Sequence, residues 1–306
     1  MRVSTPDKVM FPAVGVTKAE VVAHYERVGP SMLEFVADRP LTLQRFPRGI
    51  AAEGFMQKNA GGHFPASIRR HVVRKRDGES THYPVVDRVE DLAYLANQNT
   101  ITFHMWTSST VAPDRPDWMV IDLDPEADDL QGVRFAVGAV RSILDEFELG
   151  GFVLATGSKG FHVWVALDRQ QHFVDVSLAS RAIAGLASNR HPERLTTEFL
   201  KRNREGRVFV DWLRNTGIAT VVAPFSLRAR SSASVAVPVR WQELERARPD
   251  GWTLADLRDE AMVEDRRSIA DVTTPQVLQV EAIVAAARAA GVDLDTPHDR
   301  FGRTRS

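Results

Sequence analysis

A hydrophobic run that ends in two aspartates constrains this chain more than any other segment. Residues 118–125 read Trp-Met-Val-Ile-Asp-Leu-Asp-Pro, the pattern of a strand with an acidic end. Because side chains alternate between the two faces of a strand, Asp122 and Asp124 share one face with Val120. Two such carboxylates repel each other unless water screens them or a cation lies between them. The pair therefore predicts either a solvated strand end or a site for a hard divalent cation.

The composition is that of an ordinary globular protein. The chain has 306 residues, of which 43% are hydrophobic and 26% are charged, with a formal net charge of −1. Net charge gives no sign of nucleic-acid binding, so such a role has to rest on local basic patches. The lack of cysteine excludes a thiol nucleophile, a disulfide framework and a cysteine-based zinc site. The sequence shows neither a secretory signal pattern nor a run of membrane-spanning length, so we expect a cytoplasmic protein without a membrane partner.

Helix and strand signals are mixed along the chain without strict βαβ alternation. Residues 17–20 have the form of a capping box and predict a helix that ends near Gly29-Pro30, with a second helical stretch that runs to about Ala37. In the tail, Thr274 and Pro275 predict the cap and the first turn of another amphipathic helix. The mixture favours an α+β fold with mixed or antiparallel sheets flanked by helices.

We interpret the chain as one domain over residues 1–306, without an internal repeat or a low-complexity linker. A module of helices and strands, about residues 1–110, is expected to pack on a core of about residues 111–245. A helical tail over residues 246–306 follows. The acidic strand lies in the predicted core, so we expect the chemistry of the protein there.

Two further segments carry side chains that suit phosphate chemistry. Asp211 lies in Val-Phe-Val-Asp-Trp, another strand-like run, although alone it fits a solvated surface aspartate. If it lies beside Asp122, the carboxylates form a cluster that needs cations, and two-metal sites of this kind clamp phosphoryl groups. Residues 156–162 predict a glycine-bearing hairpin turn with hydroxyls, a lysine and a histidine. Such a turn can cradle an anion; the alternative is an exposed turn with a partly buried histidine.

Basic and aromatic side chains near turns and strand ends suggest contacts with nucleic acid. Lys18 lies in the first turn of its predicted helix, where the helix dipole disfavours a cation but favours a bound phosphate. Lys8 and Arg204 also lie beside turns or strand ends. Phe55, near Lys58, offers a surface on which a base can stack, although phenylalanines more often belong to the core.

In combination, these segments resemble the archaeo-eukaryotic primase superfamily, and within it the polymerase domain of bacterial ligase D, used in non-homologous end joining. The resemblance covers nearly the whole chain. The motifs that carry it are, in chain order, Asp7-Lys8-Val9-Met10-Phe11-Pro12, Thr17-Lys18, Arg39-Pro40-Leu41-Thr42, Gln57-Lys58-Asn59, Asp122-Leu123-Asp124-Pro125, Gly157-x-Lys159-Gly160-x-His162 and Val210-Asp211-Trp212-Leu213-Arg214-Asn215.

The resemblance implies a primase-like catalytic core and a template-directed polymerase, a nucleotidyltransferase that prefers ribonucleotides. It implies that the aspartates are catalytic and hold two divalent ions, Mn²⁺ or Mg²⁺, through Asp122, Asp124 and Asp211. The positions that match nucleoside triphosphate contacts of the family are Thr156, Ser158, Lys159, His162 and Arg228. His104 is a further candidate for the incoming nucleotide.

The resemblance also implies binding partners and a cellular location. The implied substrate is gapped or broken duplex DNA with a 5′-phosphate, and a separate DNA ligase and an end-binding protein are implied partners in the bacterial cytosol and nucleoid. Because no ligase or nuclease module follows, the chain is similar to a stand-alone primase-polymerase. The residues matched to DNA or 5′-phosphate contacts are Lys8, Lys18, Phe55, Lys58 and Arg204.

Two departures from the family pattern stand out. Thr156 replaces a commoner serine, and Phe55-Met56 replaces a frequent pair of aromatics, so the contact with downstream DNA is expected to differ. Two alternative functions use the same residues. A metal-dependent phosphoesterase or nuclease would need the carboxylates but no nucleotide cradle. A non-catalytic DNA end-binding module would need neither.

Overall fold

The computed structural model of the protein describes residues 2–75, 77–270 and 274–296. The strands are β1 Val9–Phe11, β2 Val16–Thr17, β3 Leu41–Arg45, β4 Phe55–Gln57, β5 Arg69–Arg74, β6 Ser80–Val85, β7 Thr100–Met105, β8 Trp118–Asp124, β9 Phe152–Ala155, β10 Phe161–Ala166, β11 Leu195–Thr196, β12 Val208–Asp211, β13 Val221–Val222 and β14 Val237–Val239. The helices are α1 Lys18–Val36, α2 Val89–Asn97, α3 Leu130–Glu146, α4 Phe173–Arg190, α5 Glu260–Ala270 and α6 Val280–Ala289. Short 3₁₀ turns cover Lys201–Asn203, Leu213–Asn215, Trp241–Glu243 and Asp256–Arg258.

Two sheets organise the fold. The larger has six strands in the order β11-β12-β8-β10-β9-β14, and its neighbours are antiparallel except for the pair β11 and β12. The smaller has four antiparallel strands in the order β13-β7-β3-β4. Helices α3 and α4 pack on the larger sheet, and α1 packs against α2. The predicted α+β fold with mixed and antiparallel sheets is confirmed.

Strand β8 lies inside the larger sheet, and its burial follows the predicted alternation. Met119, Ile121 and Leu123 are fully buried on one face. Asp122 and Asp124 point to the other face and keep partial contact with solvent. The apolar residues fix the register of the strand, because a slip by one residue would bury both carboxylates and expose the apolar set. The packing therefore determines where the acidic pair lies.

Helix α1 is one helix, not two. The predicted capping box is present, since Thr17 Oγ1 accepts the Glu20 N–H (3.3 Å) and the Glu20 carboxylate accepts the Thr17 N–H (2.9 Å). Pro30 lies inside the helix, so the predicted end at that residue is wrong. A proline in a helix interior costs about 3 kcal/mol, but Val28 and Met32 are fully buried on either side of it. Tertiary packing therefore keeps the helix continuous at Pro30, although a proline usually ends a helix.

The tail helix begins later than the sequence predicts. Residues 274–279 are not helical. The Gln276 N–H donates to the Ala166 carbonyl (3.0 Å), and the Gln276 carbonyl accepts the Asp168 N–H (3.1 Å). These bonds attach the segment to the end of β10, so α6 begins only at Val280. The predicted start at residue 274 is wrong because contacts between distant segments outweigh a local cap signal.

The division into an N-terminal module, a core and a tail stays a prediction. Strand β13, from the predicted core, pairs with β7 of the predicted N-terminal module within the smaller sheet. Residues 1, 76, 271–273 and 297–306 of the three predicted regions lie outside the described residues.

Candidate active site

Three polar residues form a row across the middle of the larger sheet. Asp122 of β8 is paired in register with Asp211 of β12 on one side and with His162 of β10 on the other. Residues paired in this way have Cβ atoms about 4.5–5.5 Å apart. The expectation that the face with Asp122 and Asp124 meets Asp211 across the sheet is therefore confirmed. His162 Nε2 lies 3.4 Å from Asp122 Oδ1, and Asp211 is only 3% exposed.

The pKa values of the two adjacent carboxylates, Asp122 and Asp211, are shifted in opposite directions. Burial raises the pKa of Asp211 to about 6; the Arg214 guanidinium opposes that rise and the charge of Asp122 adds to it. Burial also acts to raise the pKa of Asp122, but His162 and Arg214 outweigh it and hold this pKa below its usual range. Two neighbouring carboxylates seldom both ionise in a poorly solvated site. The pair therefore attracts positive charge strongly.

Arg214 supplies positive charge to this pair. Its Nε lies 3.1 Å from Asp122 Oδ2, and its Nη2 lies 3.0 Å from Asp211 Oδ2. The next residue, Asn215, fixes the turn that presents Arg214. The Asn215 side chain accepts the Val120 N–H (2.8 Å) and donates to the Val120 carbonyl (2.7 Å). The 3₁₀ turn after β12 is thus joined to β8, which holds the guanidinium over both carboxylates.

Asp124 has a separate partner. Its side chain is 44% exposed, and Arg204 Nη1 lies 3.3 Å from its Oδ2. The other guanidinium nitrogens of Arg204 donate to the carbonyls of Glu198 (3.0 Å) and Phe199 (2.9 Å), and the group lies over the Phe209 ring. Arg204 is therefore buried in the conformation described, and its predicted contact with DNA stays a prediction.

The donor set suits a divalent cation, although it is not gathered around one. Within residues 2–75, 77–270 and 274–296, no three His, Asp or Glu side chains are arranged to hold an ion. Arg214 and Arg204 lie against the carboxylates instead. Carboxylate oxygens are the donors that hard divalent cations prefer, and a buried, mutually repelling pair gains from a cation. The residues fit such an ion, provided that Arg214 moves away from Asp122 and Asp211.

The predicted hairpin turn lies beside this row. Strands β9 and β10 pair antiparallel, as expected, and Thr156 Oγ1 donates to the Gly160 carbonyl (2.7 Å) across the turn. Gly157 has a positive φ of 65° and donates its N–H to the Pro249 carbonyl (2.7 Å). A Cβ on Gly160 would lie 2.1 Å from the Leu123 carbonyl oxygen, so the turn approaches β8 as only glycine allows.

Two arginines from one segment contact the hairpin turn. Arg228 Nη1 donates to the Thr156 carbonyl (2.6 Å), and the Arg230 guanidinium donates to Ser158 Oγ. Burial and then the charge of Arg230 lower the pKa of Arg228 to about 10, which leaves it protonated at neutral pH. Ser158, Arg230 and the exposed Lys159 line a pocket of about 260 Å³. The turn therefore presents hydroxyls and three cationic groups that suit an anion, and the carboxylates of Asp128 and Asp250 also line the pocket.

His104 reaches the same site from the smaller sheet. Burial lowers its pKa to about 3, with further contributions from the charges of Arg228, Arg214 and His162. The Nδ1 atoms of His104 and His162 are buried without a hydrogen-bond partner among the described residues. The neutral imidazole of His104 can therefore accept a hydrogen bond from a ligand through its open nitrogen. The site thus lies where β7 faces the row on the larger sheet.

Comparison with known proteins places this site in a family. A family model described as "LigD, primase-polymerase domain" matches residues 17–268. The chain belongs to this family. The family is one of primase-polymerases, so the chain is a metal-dependent nucleotidyltransferase of the polymerase type.

Curated LigD proteins are considerably longer than this chain. The multifunctional non-homologous end joining protein LigD of Mycolicibacterium smegmatis is 32% identical over 288 residues, which cover 93% of this chain and 37% of that protein. LigD of Pseudomonas aeruginosa is 32% identical over 84% of this chain and 31% of its own length. The bifunctional LigD of Bacillus subtilis is 29% identical over 78% of this chain and 38% of its own length. The chain therefore spans about a third of the length of these relatives.

A solved structure agrees with the family. The polymerase domain from Mycobacterium tuberculosis Ligase D, in complex with DNA, superposes with a TM-score of 0.80 at 30% identity. The match covers 88% of this chain and 99% of that chain. No helix in the described part of this LigD-type chain combines the length and the apolar character needed to cross a membrane.

The lysines matched to 5′-phosphate contacts in this LigD-type domain form a cationic cluster at the start of α1. Lys18 is 2% exposed, and its Nζ donates to Ser4 Oγ (2.7 Å). Lys8 donates to Asn99 Oδ1 (3.2 Å) and to the Pro47 carbonyl. Burial and then the charges of Lys8 and Arg45 lower the pKa of Lys18. Among the described residues, neither lysine forms a salt bridge, so an anion would relieve the repulsion between them.

The residues matched to DNA stacking in this LigD-type domain lie on β4, the outer strand of the smaller sheet. Phe55 is 47% exposed and Met56 49%, and the Arg45 guanidinium lies 5.5 Å from the Phe55 ring centre. Lys58 follows the strand and is also exposed. These side chains offer an apolar surface with cations at its border, while their contact with DNA stays a prediction.

The sequence interpretation missed three residues of the site. Arg214, Arg230 and Asn215 contact the aspartates, the hairpin turn and β8 respectively. Arg214 and Asn215 lie three and four residues after Asp211, inside the motif that carried the family resemblance. Arg230 lies two residues after Arg228, so that alternate residues reach the same turn. That spacing was the available signal for Arg230.

Proposed function

We propose that this protein extends a primer 3′-hydroxyl, directed by a template, at short gaps or breaks that carry a 5′-phosphate. The observation that carries the proposal is the row of Asp211, Asp122 and His162 beside the cationic hairpin turn, in a chain of the LigD primase-polymerase family. We further propose that ribonucleotides are preferred and that the metal is Mn²⁺ or Mg²⁺. The curated relatives are named for non-homologous end joining, and we propose this repair pathway for the chain, together with a separate ligase and an end-binding protein.

One group of site residues would bind the metal ions at the reacting atoms, and another would bind the triphosphate. Divalent cations bound by Asp122, Asp124 and Asp211 would supply Lewis acidity at the primer hydroxyl and neutralise phosphate charge. Lys159 and Arg228 would hold the triphosphate and stabilise the charge that develops on the leaving pyrophosphate.

The remaining polar residues of the turn would bind and orient the nucleotide. Ser158 and Thr156 would lie near the phosphates. His162 and His104, each with a buried ring nitrogen that has no partner among the described residues, would form hydrogen bonds with the nucleotide or its sugar.

Primer extension on a short gapped duplex tests this proposal. We expect extension that needs Mn²⁺ or Mg²⁺, is faster with ribonucleotides than with deoxyribonucleotides, and is faster with a 5′-phosphate than without one. The double variant Asp122→Ala, Asp124→Ala should lose extension by at least about a thousandfold. Undiminished extension by that variant would refute the proposal.

The two alternatives predict different results. A phosphoesterase or nuclease would degrade the duplex and would keep full activity after Lys159→Ala. A non-catalytic end-binding module would bind the gapped duplex but show no metal-dependent binding of nucleoside triphosphate in calorimetry.

A further inference from the structure

The segment that leads to Arg228 has a strained backbone. Phe225, three residues before Arg228, has a positive φ of 65°, a conformation that an aromatic residue rarely adopts. Such a conformation persists only where the surroundings hold it in place. The Phe225 N–H donates to the Ala236 carbonyl (2.6 Å), and the Arg228 N–H donates to the Ser234 carbonyl (2.8 Å). The segment therefore turns sharply between β13 and β14 before it reaches the site.

Two consecutive residues of α1 hold this segment from the opposite side. His24 Nε2 lies 3.0 Å from the Phe225 carbonyl, and Tyr25 Oη accepts the Leu227 N–H (3.0 Å). Tyr25 also donates to the Ile101 carbonyl of β7 (2.5 Å). Both side chains are fully buried. Because burial lowers the pKa of His24 to about 4, its ring is neutral at neutral pH and Nε2 carries the proton that the Phe225 carbonyl accepts.

A third side chain completes the attachment. Ser226 Oγ accepts the Phe103 N–H (2.8 Å) and lies 3.4 Å from Tyr25 Oη. Residues 225–227 are thereby joined to α1, to β7 and, through Ala236, to the start of β14. The next residue is Arg228, whose guanidinium lies on the Thr156 carbonyl at the hairpin turn. Three fully buried polar side chains thus determine where the Arg228 backbone lies.

We propose that Tyr25, together with His24, is a positioning residue that sets Arg228 against the hairpin turn and so tunes the affinity for nucleoside triphosphate. This inference rests on the proposed function, since it takes Arg228 as a triphosphate contact. The Tyr25 hydroxyl accepts from Leu227 and donates to Ile101, so its removal leaves two buried backbone groups unpaired. The segment then relaxes, and Arg228 loses its place at the turn.

The test is a double-mutant cycle on the full chain, with ATP and Mn²⁺ as the ligands in calorimetry. Tyr25→Phe is expected to raise the dissociation constant of ATP by about tenfold. Introduced into an Arg228→Ala background, the same change is expected to have no further effect, because the residue that it positions is gone. The matched control is Tyr94→Phe, which removes a hydroxyl that donates to the His63 carbonyl rather than to the segment before Arg228, and it should leave ATP affinity unchanged.

The outcomes separate this inference from the proposed function. If the parent protein binds no ATP, the proposed function fails. If the parent binds ATP and Tyr25→Phe binds it equally well, or loses affinity to the same degree with and without Arg228, the inference is overturned. Should Tyr25→Phe not fold, as judged by thermal unfolding, Ser226→Ala replaces it in the same cycle. The inference then requires that Ser226→Ala lowers ATP affinity in the presence of Arg228 and has no further effect in the Arg228→Ala background.

Discussion

At the scale of single residues, guanidinium groups compensate the negative charge of the carboxylates in the site. Arg214 bridges Asp122 and Asp211 at 3.1 and 3.0 Å, where a divalent cation would otherwise compensate the two carboxylates. The alternation of side chains along a strand predicted that Asp122 and Asp124 share one face, and the family resemblance implied that Asp211 joins them. The sequence did not predict Arg214, because the direction of a long side chain at a turn depends on tertiary contacts such as those of Asn215 with Val120.

Arg214→Gln should bind Mn²⁺ more tightly than the parent protein. Without the guanidinium, Asp122 and Asp211 repel each other and no side chain competes with the ion. We expect the dissociation constant for Mn²⁺ to fall by about tenfold and the melting temperature of the metal-free variant to fall. Calorimetry and thermal unfolding with and without Mn²⁺ measure both. Arg190→Gln, which breaks an exposed pair with Glu146, is the control, and equal Mn²⁺ affinity in Arg214→Gln would contradict the prediction.

His24 should make the stability of the protein depend on pH in the acid range. Burial lowers its pKa from 6.5 to about 4, so the unfolded chain takes up a proton before the folded protein does. The contribution to stability is complete above pH 6.5. It falls as the pH drops towards about 4 and amounts to about 3 kcal/mol at most. Measured by urea unfolding between these pH values, the free energy of unfolding should fall less steeply with decreasing pH for His24→Gln than for the parent. The exposed His82→Gln should match the parent, and a parent-like profile for His24→Gln would contradict the assignment.

At the scale of elements, the sequence predicted the strands and the hairpin around the site well. Strands β8, β9 and β10 are short apolar runs bounded by turn residues, and such signals are local. The errors occurred where distant contacts prevail, as at Pro30 inside α1 and at Gln276 beside β10. Strand β6 was not predicted; Pro84 lies within it, and a proline is tolerated there because β6 is an edge strand of a two-stranded sheet.

The hairpin turn should tolerate no side chain at its last glycine. A Cβ on Gly160 would lie 2.1 Å from the Leu123 carbonyl oxygen, so Gly160→Ala must push β10 away from β8. We expect a loss of about 2–3 kcal/mol in the free energy of unfolding. Gly138 in α3 is the matched control, since a Cβ there meets nothing within 4 Å. Gly138→Ala should stabilise the protein by about 0.5–1 kcal/mol. Urea unfolding measures the free energy of unfolding of both variants. Equal changes in Gly160→Ala and Gly138→Ala would refute the close approach of the turn to β8.

At the scale of the whole molecule, α1 joins two groups of residues with different proposed ligands. Its first residue, Lys18, belongs to the cationic cluster with Lys8, and its middle holds the segment before Arg228. No rule of periodicity in the sequence brings these segments together, since His24 and Phe225 are 201 residues apart. The family resemblance could assign roles to Lys18 and Arg228, but only the packing of α1 relates the two positions.

Lys18→Met should remove the preference for a 5′-phosphate while leaving the rest of DNA binding in place. Burial and the neighbouring charges of Lys8 and Arg45 lower the pKa of Lys18, so a phosphate dianion there would offset a repulsion built into the folded protein. We expect binding to a 5′-phosphorylated gapped duplex to weaken by about tenfold, with the salt dependence reduced by about one phosphate contact. Binding to the unphosphorylated duplex should not change.

Fluorescence anisotropy at several salt concentrations measures these affinities. Lys75→Met is the control, because it removes an exposed lysine that is paired with Glu79. It should leave the ratio of the two affinities at the parent value. If Lys18→Met keeps the parent ratio, the phosphate binds elsewhere. If both duplexes weaken equally, Lys18 contributes only general attraction to the DNA backbone. A loss confined to the phosphorylated duplex is the result that assigns the cationic cluster at the start of α1 to the 5′-phosphate.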